Sequence, residues 1–265
     1  MKTITILLTG AAFLMPATAA PLKSAKVTAS VNDVRVYRDS TNAATAAVGE
    51  SISGTDDLHT GRRSRAELTF PDQSITRIGA NSIFSFRSGS RDMEIKQGSF
   101  LLQVPKDAGG ATIRTATVTA AITGTTVMME YNPGKWIKFI VLEGKAKLQM
   151  IEGGEFVEVL PGQMIFMEAD AKEIPEPIMI NIQRLIKTSK LLGEDFKELS
   201  PEAAELVRET IDKQNEARNK GEVAPSGVIV GGPTIREEGG RDPNPSASPM
   251  AKEYRYRIII PNDNF

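Results

Sequence analysis

The sequence predicts a mainly β protein: a multi-stranded β-domain followed by two short α-helices and a disordered tail. Three observations carry that expectation. Between residues 27 and 169, apolar and polar residues alternate in short runs, the two-residue period of a half-buried strand. Gly, Pro, Asn and Asp break these runs at intervals of roughly ten residues, the spacing of an all-β sandwich, barrel or solenoid. Helical spacing of apolar residues begins only after Ala169.

Residues 1–20 stand apart from the core. Met1-Lys2 is a short positive start, Ile4 to Leu14 is mostly apolar, and Pro16 ends the run. Ala17-Thr18-Ala19 then offers a small-residue cleavage site, with Ala20 as its neighbour. This is the pattern of a secretory signal peptide, and the apolar run is too short to span a membrane. No cysteine follows to take a lipid anchor. The expected mature protein is exported, to the periplasm or beyond the cell, and is not a transmembrane protein.

The strands follow in order. Val34-Arg35-Val36-Tyr37 alternates, as does Ala66 to Phe70, which stops at Pro71-Asp72-Gln73-Ser74. Ile75 to Ile78, Ile83 to Phe86, Met93 to Ile95, Phe100 to Val104 and Ile113 to Val118 continue the pattern. Trp136 to Leu142 carries one lysine in seven positions, and Gln163 to Met167 carries no charge. Runs apolar on both faces fit strands covered on both sides, by a second sheet or by the helices that follow.

Pro175 and Pro177 mark a boundary, since each disfavours helix in the residue before it. The segment 178–220 is expected to be helical. Ile178, Ile182, Leu185, Ile186 and Leu192 have helical spacing, and Gly193 is placed to stop it. Ser200 is a good N-cap for a second helix, with Pro201 at the first helical position. Residues 221–253 are rich in Gly, Pro and Ser and read as a flexible tail. Residues 254–265 differ: Tyr254-Arg255-Tyr256-Arg257 alternates aromatic with basic, then Ile258 to Ile260 is continuously apolar, a strand suited to a free sheet edge.

Composition excludes much chemistry. With no cysteine and one histidine, His59, the chain has no disulfide, thiolate nucleophile or two-histidine metal site. Its 32 Lys+Arg against 33 Asp+Glu give no global attraction to nucleic acid. His59 lies in Asp56-Asp57-Leu58-His59 between Gly54 and Gly61 and reads as part of a solvated turn. No Gly-x-Ser-x-Gly elbow or phosphate-binding loop is present. Glu143, Glu152, Glu155 and Glu158 are carboxylates near strand ends, suited to glycoside chemistry only if opposed across a cleft. No catalytic, cofactor-binding or metal residue is assigned. Arg62, Arg63 and Arg65 form a local basic cluster, and with Tyr254 and Tyr256 they are the candidate partner-binding residues.

The series of turns through the β segment resembles a FecR domain, the extracytoplasmic sensor module of FecR-type anti-sigma regulators. It begins at Ala47-Val48-Gly49-Glu50 and Leu58-His59-Thr60-Gly61 and continues through Ser64 to Ser74. Ile78 to Ser82, Ile95 to Phe100, Ile122-Thr123-Gly124-Thr125-Thr126-Val127, Val141 to Ala146 and Leu160-Pro161-Gly162-Gln163 complete it. Two positions depart: Thr123 stands where the family often has Arg, and Gln73 follows Asp72 where an Asp-Gly turn is usual. The resemblance implies a β-solenoid or sandwich-like domain without known catalytic residues. A signal peptide stands where such a regulator would have its cytoplasmic segment and membrane span, so sigma-factor regulation is not carried over. The expected function is a non-enzymatic binding, sensing or scaffold module at the cell envelope, with an unknown protein or glycan partner. The alternatives are a polysaccharide-acting hydrolase and an envelope sensor paired with a separate membrane transducer.

Overall fold

The structure, a computed structural model, describes residues 21–38 and 42–220 and two short strands at 234–236 and 257–259. The expected signal peptide and most of the tail, including Tyr254 and Tyr256, lie outside the described residues.

The chain forms β1 (Ser24–Val31), β2 (Val34–Arg38), β3 (Asn42–Thr45), β4 (Ser51–Ser53), β5 (Asp57–Thr60), β6 (Arg65–Thr69), β7 (Ile75–Ile78), β8 (Ile83–Phe86) and β9 (Asp92–Gln103). After a short 3-10 turn come β10 (Gly110–Arg114), β11 (Val118–Thr123), β12 (Thr126–Asn132), β13 (Trp136–Glu143), β14 (Ala146–Met150), β15 (Gly153–Val159), β16 (Gln163–Glu168) and β17 (Ile178–Met179). Two helices follow, α1 (Ile182–Thr188) and α2 (Pro201–Asn219), then β18 (Thr234–Arg236) paired with β19 (Arg257–Ile259).

Two layers result. The first has the order β4-β1-β6-β7-β9-β12-β13-β16-β17. The second has the order β3-β2-β5-β8-β9-β10-β11-β14-β15. β9 serves both. Residues up to Gln97 pair with β8 in the second layer, and residues from Gly98 onward pair with β12 in the first. Within the two layers all pairs are antiparallel except β9–β10. A solenoid would stack parallel coils; here antiparallel hairpins alternate between layers, so the chain takes the sandwich-like form and not the solenoid.

Alternation along each strand builds two cores. Phe100, Leu102, Val127, Met129, Phe139 and Val141 of the first layer meet Leu58, Phe84, Ile95, Ile113 and Leu148 of the second. The intervening residues Leu101, Met128, Ile140, Leu142 and Met164 point the other way and are covered by Ile182, Leu185, Leu191 and Val207. The apolar runs of β13 and β16 thus reflect helices on one face and a sheet on the other.

Three local readings of the sequence are corrected. His59 sits inside β5, its neighbours Leu58 and Thr60 buried, rather than in a solvated turn. The run 113–118 is not one strand, because the Thr115 hydroxyl accepts the N–H groups of Thr117 and Val118 and turns the chain. The first helix starts at Ile182, since Asn181 caps it by accepting the Arg184 N–H, and Ile178–Met179 pairs with β16 instead. The second helix is capped by Ser200 with Pro201 at its first position, as expected.

At the layer switch, Gly98 has φ +94°, and a Cβ there would lie 2.1 Å from Ser82 Oγ and 2.5 Å from Ser82 Cα. The turn with Gln73 in place of glycine keeps a left-handed backbone at φ 66°. Asp72 stabilises it by accepting the Ser74 N–H at 2.9 Å. Gly98→Val is expected to lower the denaturation midpoint sharply, combining backbone strain of about 1–3 kcal/mol with a backbone clash. Gln73→Gly is expected to raise it, by up to about 1 kcal/mol of stability, because glycine removes the left-handed penalty at a cost in chain entropy. Chemical denaturation of both variants checks the pair.

Candidate functional site

The most strongly constrained polar group is Arg77 on β7, 1% exposed. Its Nε donates to Glu67 Oε2 on the neighbouring β6 at 2.9 Å. Nη1 donates to the Leu191 carbonyl at 3.0 Å and Nη2 to the Lys197 carbonyl. The guanidinium also lies 5.0 Å from the Phe196 ring centroid. Glu67 takes a further hydrogen bond from the Thr28 hydroxyl at 2.8 Å. A buried guanidinium therefore ties the stretch between α1 and α2 to the first sheet.

Two more acidic groups are enclosed nearby. Lys138 and Glu130 pair across β13 and β12 beneath α1, with the ammonium 5.6 Å from the Trp136 ring. Burial pushes the Lys138 ammonium down and the Glu130 carboxyl up from their ordinary pKa values. Glu143 accepts the Thr126 hydroxyl at 2.7 Å and faces a small pocket under the start of α2, lined also by Lys106, Ser200 and Glu202. Burial raises its pKa, and its Oε2 has no hydrogen-bond partner among the described residues. These groups sit inside the junction of sheet and helices. Of these, only Glu143 was a sequence candidate; Glu130 and Lys138 are eight positions apart and meet only because β12 and β13 form a hairpin.

The sequence-predicted residues are divided by the fold. Arg62 and Arg63 are exposed at the tip before β6, where the Arg63 backbone has φ +57° and its carbonyl accepts the Asn32 side chain. Arg65 turns to Asp195 and helps hold the same stretch that Arg77 grips. The cluster is therefore two exposed cations and one structural one. Tyr254 and Tyr256 fall outside the described residues. Glu143 is enclosed, while Glu152, Glu155 and Glu158 lie on the exposed β14–β15 hairpin, so the four do not face one open cleft. His59 stacks on Tyr37 at 4.1 Å between ring centroids, on the outer face of the second sheet. Partial burial lowers its pKa; nearby Asp57 works against that and Lys96 adds to it. Among the described residues no three His, Asp or Glu side chains gather to hold a metal, and no helix is long and apolar enough to cross a membrane.

Two outcomes follow from this geometry. Arg77→Met leaves Glu67 buried without its cation and is expected to cost about 3–5 kcal/mol. Trypsin should then cut faster at Lys190 and Lys197, and Arg77→Met/Glu67→Leu should recover part of the loss. As the chain's one histidine, His59 gives a single imidazole titration by NMR, with a midpoint expected below 6.5. Because the folded state disfavours the protonated ring, its contribution to stability is complete above the unfolded value and is lost as pH falls below it.

Residues 56–147 match the family model described as FecR protein. No curated protein matches the chain. Two crystal structures of a candidate anti-sigma factor from Parabacteroides distasonis ATCC 8503, at 1.65 and 2.50 Å resolution, are similar to it. Each shows 15% identity and a TM-score of 0.41, with 69% of this chain and 94% of the other covered in the first case and 70% and 95% in the second. The family match is narrower than the series of turns in the sequence, and it runs from β5 into β14 across the layer switch at β9. By that match, residues 56–147, the centre of this sandwich, are similar to a FecR domain.

Proposed function

We propose that this protein is an exported, non-enzymatic FecR-domain module that binds a protein or glycan at the cell envelope and serves in sensing. The observation that carries the reading is the FecR match at residues 56–147, which falls on the strands that join the two layers. The envelope association of that family and the signal-peptide pattern of residues 1–20 support the location. The way the buried charges are used supports the absence of catalysis: Arg77, Glu67 and Arg65 are occupied in holding elements together. Exposed Arg62 and Arg63 are left to meet an acidic or phosphorylated surface.

The test is genetic and biochemical together. Intact mass of the protein from the extracytoplasmic fraction should show cleavage after Ala19 or Ala20. Deleting the gene should abolish a transcriptional response to an envelope stimulus. The wild-type gene should restore it, whereas Arg62→Glu/Arg63→Glu should restore it at least tenfold less well despite an unchanged melting temperature. A full-length cytoplasmic product, or a transcriptome unaffected by deletion, overturns the reading.

A further inference from the structure

β15 is the outermost strand of the second layer and pairs with β14 alone. Six of its seven residues are not buried, and Phe156 at its centre is 57% exposed. A row of free backbone N–H and C=O groups beside an exposed aromatic ring is a template for an added strand. The opposite edge, β3, offers a contrast: Asn42 to Thr45 are exposed, but they are small or polar and present nothing to grip. The β15 edge is acidic, with Glu155 and Glu158 on the strand and Glu152 in the preceding turn; Lys145 lies 3.6 Å from Glu158, and Lys147 stands across from it on β14. Like charges on two copies oppose an edge-to-edge dimer of β15 with itself. The edge calls for an extended strand that brings aliphatic residues and at least one cation.

The chain contains one. β19 is paired on one side with β18, and its other side has no partner among the described residues. In an antiparallel register, Arg257 stands opposite Glu158, Ile258 opposite Val157 and Ile259 opposite Phe156. A slip of one residue sets Arg257 against Val157 or Val159 and loses the match, so the pattern specifies its register. Thirty-six residues, 221–256, separate Lys220 from Arg257, far more than needed to cross a domain at about 3.3–3.6 Å each. Tethering gives the tail of the same molecule an effective concentration near the millimolar range. We infer that Arg257–Ile259 adds to the free edge of β15 in its own molecule as an antiparallel strand and covers Phe156. The inference concerns the chain's own edge and does not depend on the proposed sensing role.

Because the chain has no cysteine, an engineered pair reports this contact cleanly. In the full-length protein, Phe156→Cys/Ile259→Cys should cross-link within one molecule under mild oxidation, at least tenfold faster than the control pair Asn42→Cys/Ile259→Cys. Adding Arg257→Glu should slow it severalfold, with circular dichroism and melting temperature unchanged. A disulfide-linked dimer would assign the edge to a second copy and overturn the intramolecular strand. No cross-link, or equal rates in the two pairs, would overturn the docking itself. Either result leaves the transcriptional test of sensing unaffected.

Discussion

Removing a guanidinium from water costs several kcal/mol unless its donors are matched, and Arg77 meets that constraint with one carboxylate, two backbone carbonyls and an aromatic face. The carboxylate comes from the adjacent strand, so it is in place as soon as β6 and β7 pair. The carbonyls come from the stretch between the helices. Aliphatic contacts such as Leu185 on Met128 would tolerate some sliding of α1 over the sheet. The fixed fork of Arg77 does not, because a shift of one residue leaves buried donors unpaired. The hydrophobic contacts supply attraction, and the arginine supplies position.

A second constraint lies in β9. One strand contributes half its length to each layer, so the sheets are joined through a shared backbone as well as through side-chain packing. On either side of it, hairpins alternate between layers. Surfaces not used in packing are therefore pushed to the loop tips and the two ends of the sandwich, where Arg62, Arg63 and Phe156 are found.

Much of this fold was legible because period-two alternation is a direct consequence of strand geometry. The two-sided burial of β13 could be read from its composition, and the α2 cap from Ser200-Pro201. The errors have equally physical causes. β5 is only four residues long and lies between glycines, so its alternation was outweighed by turn signals. The Thr115 turn uses a hydroxyl in place of Gly or Pro. Ile178 shares helical spacing with Ile182 and Leu185, yet Asn181 between them was the cap that placed the boundary. At the candidate site, Arg62 and Arg63 were legible as exposed cations, whereas the role of Arg77 was not. Its acceptors are backbone carbonyls 114 and 120 positions away, and a carbonyl has no residue type to recognise. Arg65 looked like its neighbours for the same reason, since Asp195 is remote in sequence.

The second core has a consequence for how the chain is made. Its sheet side, Leu101, Met128, Ile140 and Met164, is synthesised before the side that covers it, Ile182 to Val207. A nascent chain that has closed its sandwich therefore still presents an apolar face until α2 is made. Where the sandwich closes first, the speed with which α2 arrives limits how long that face can recruit a chaperone or another unfinished chain.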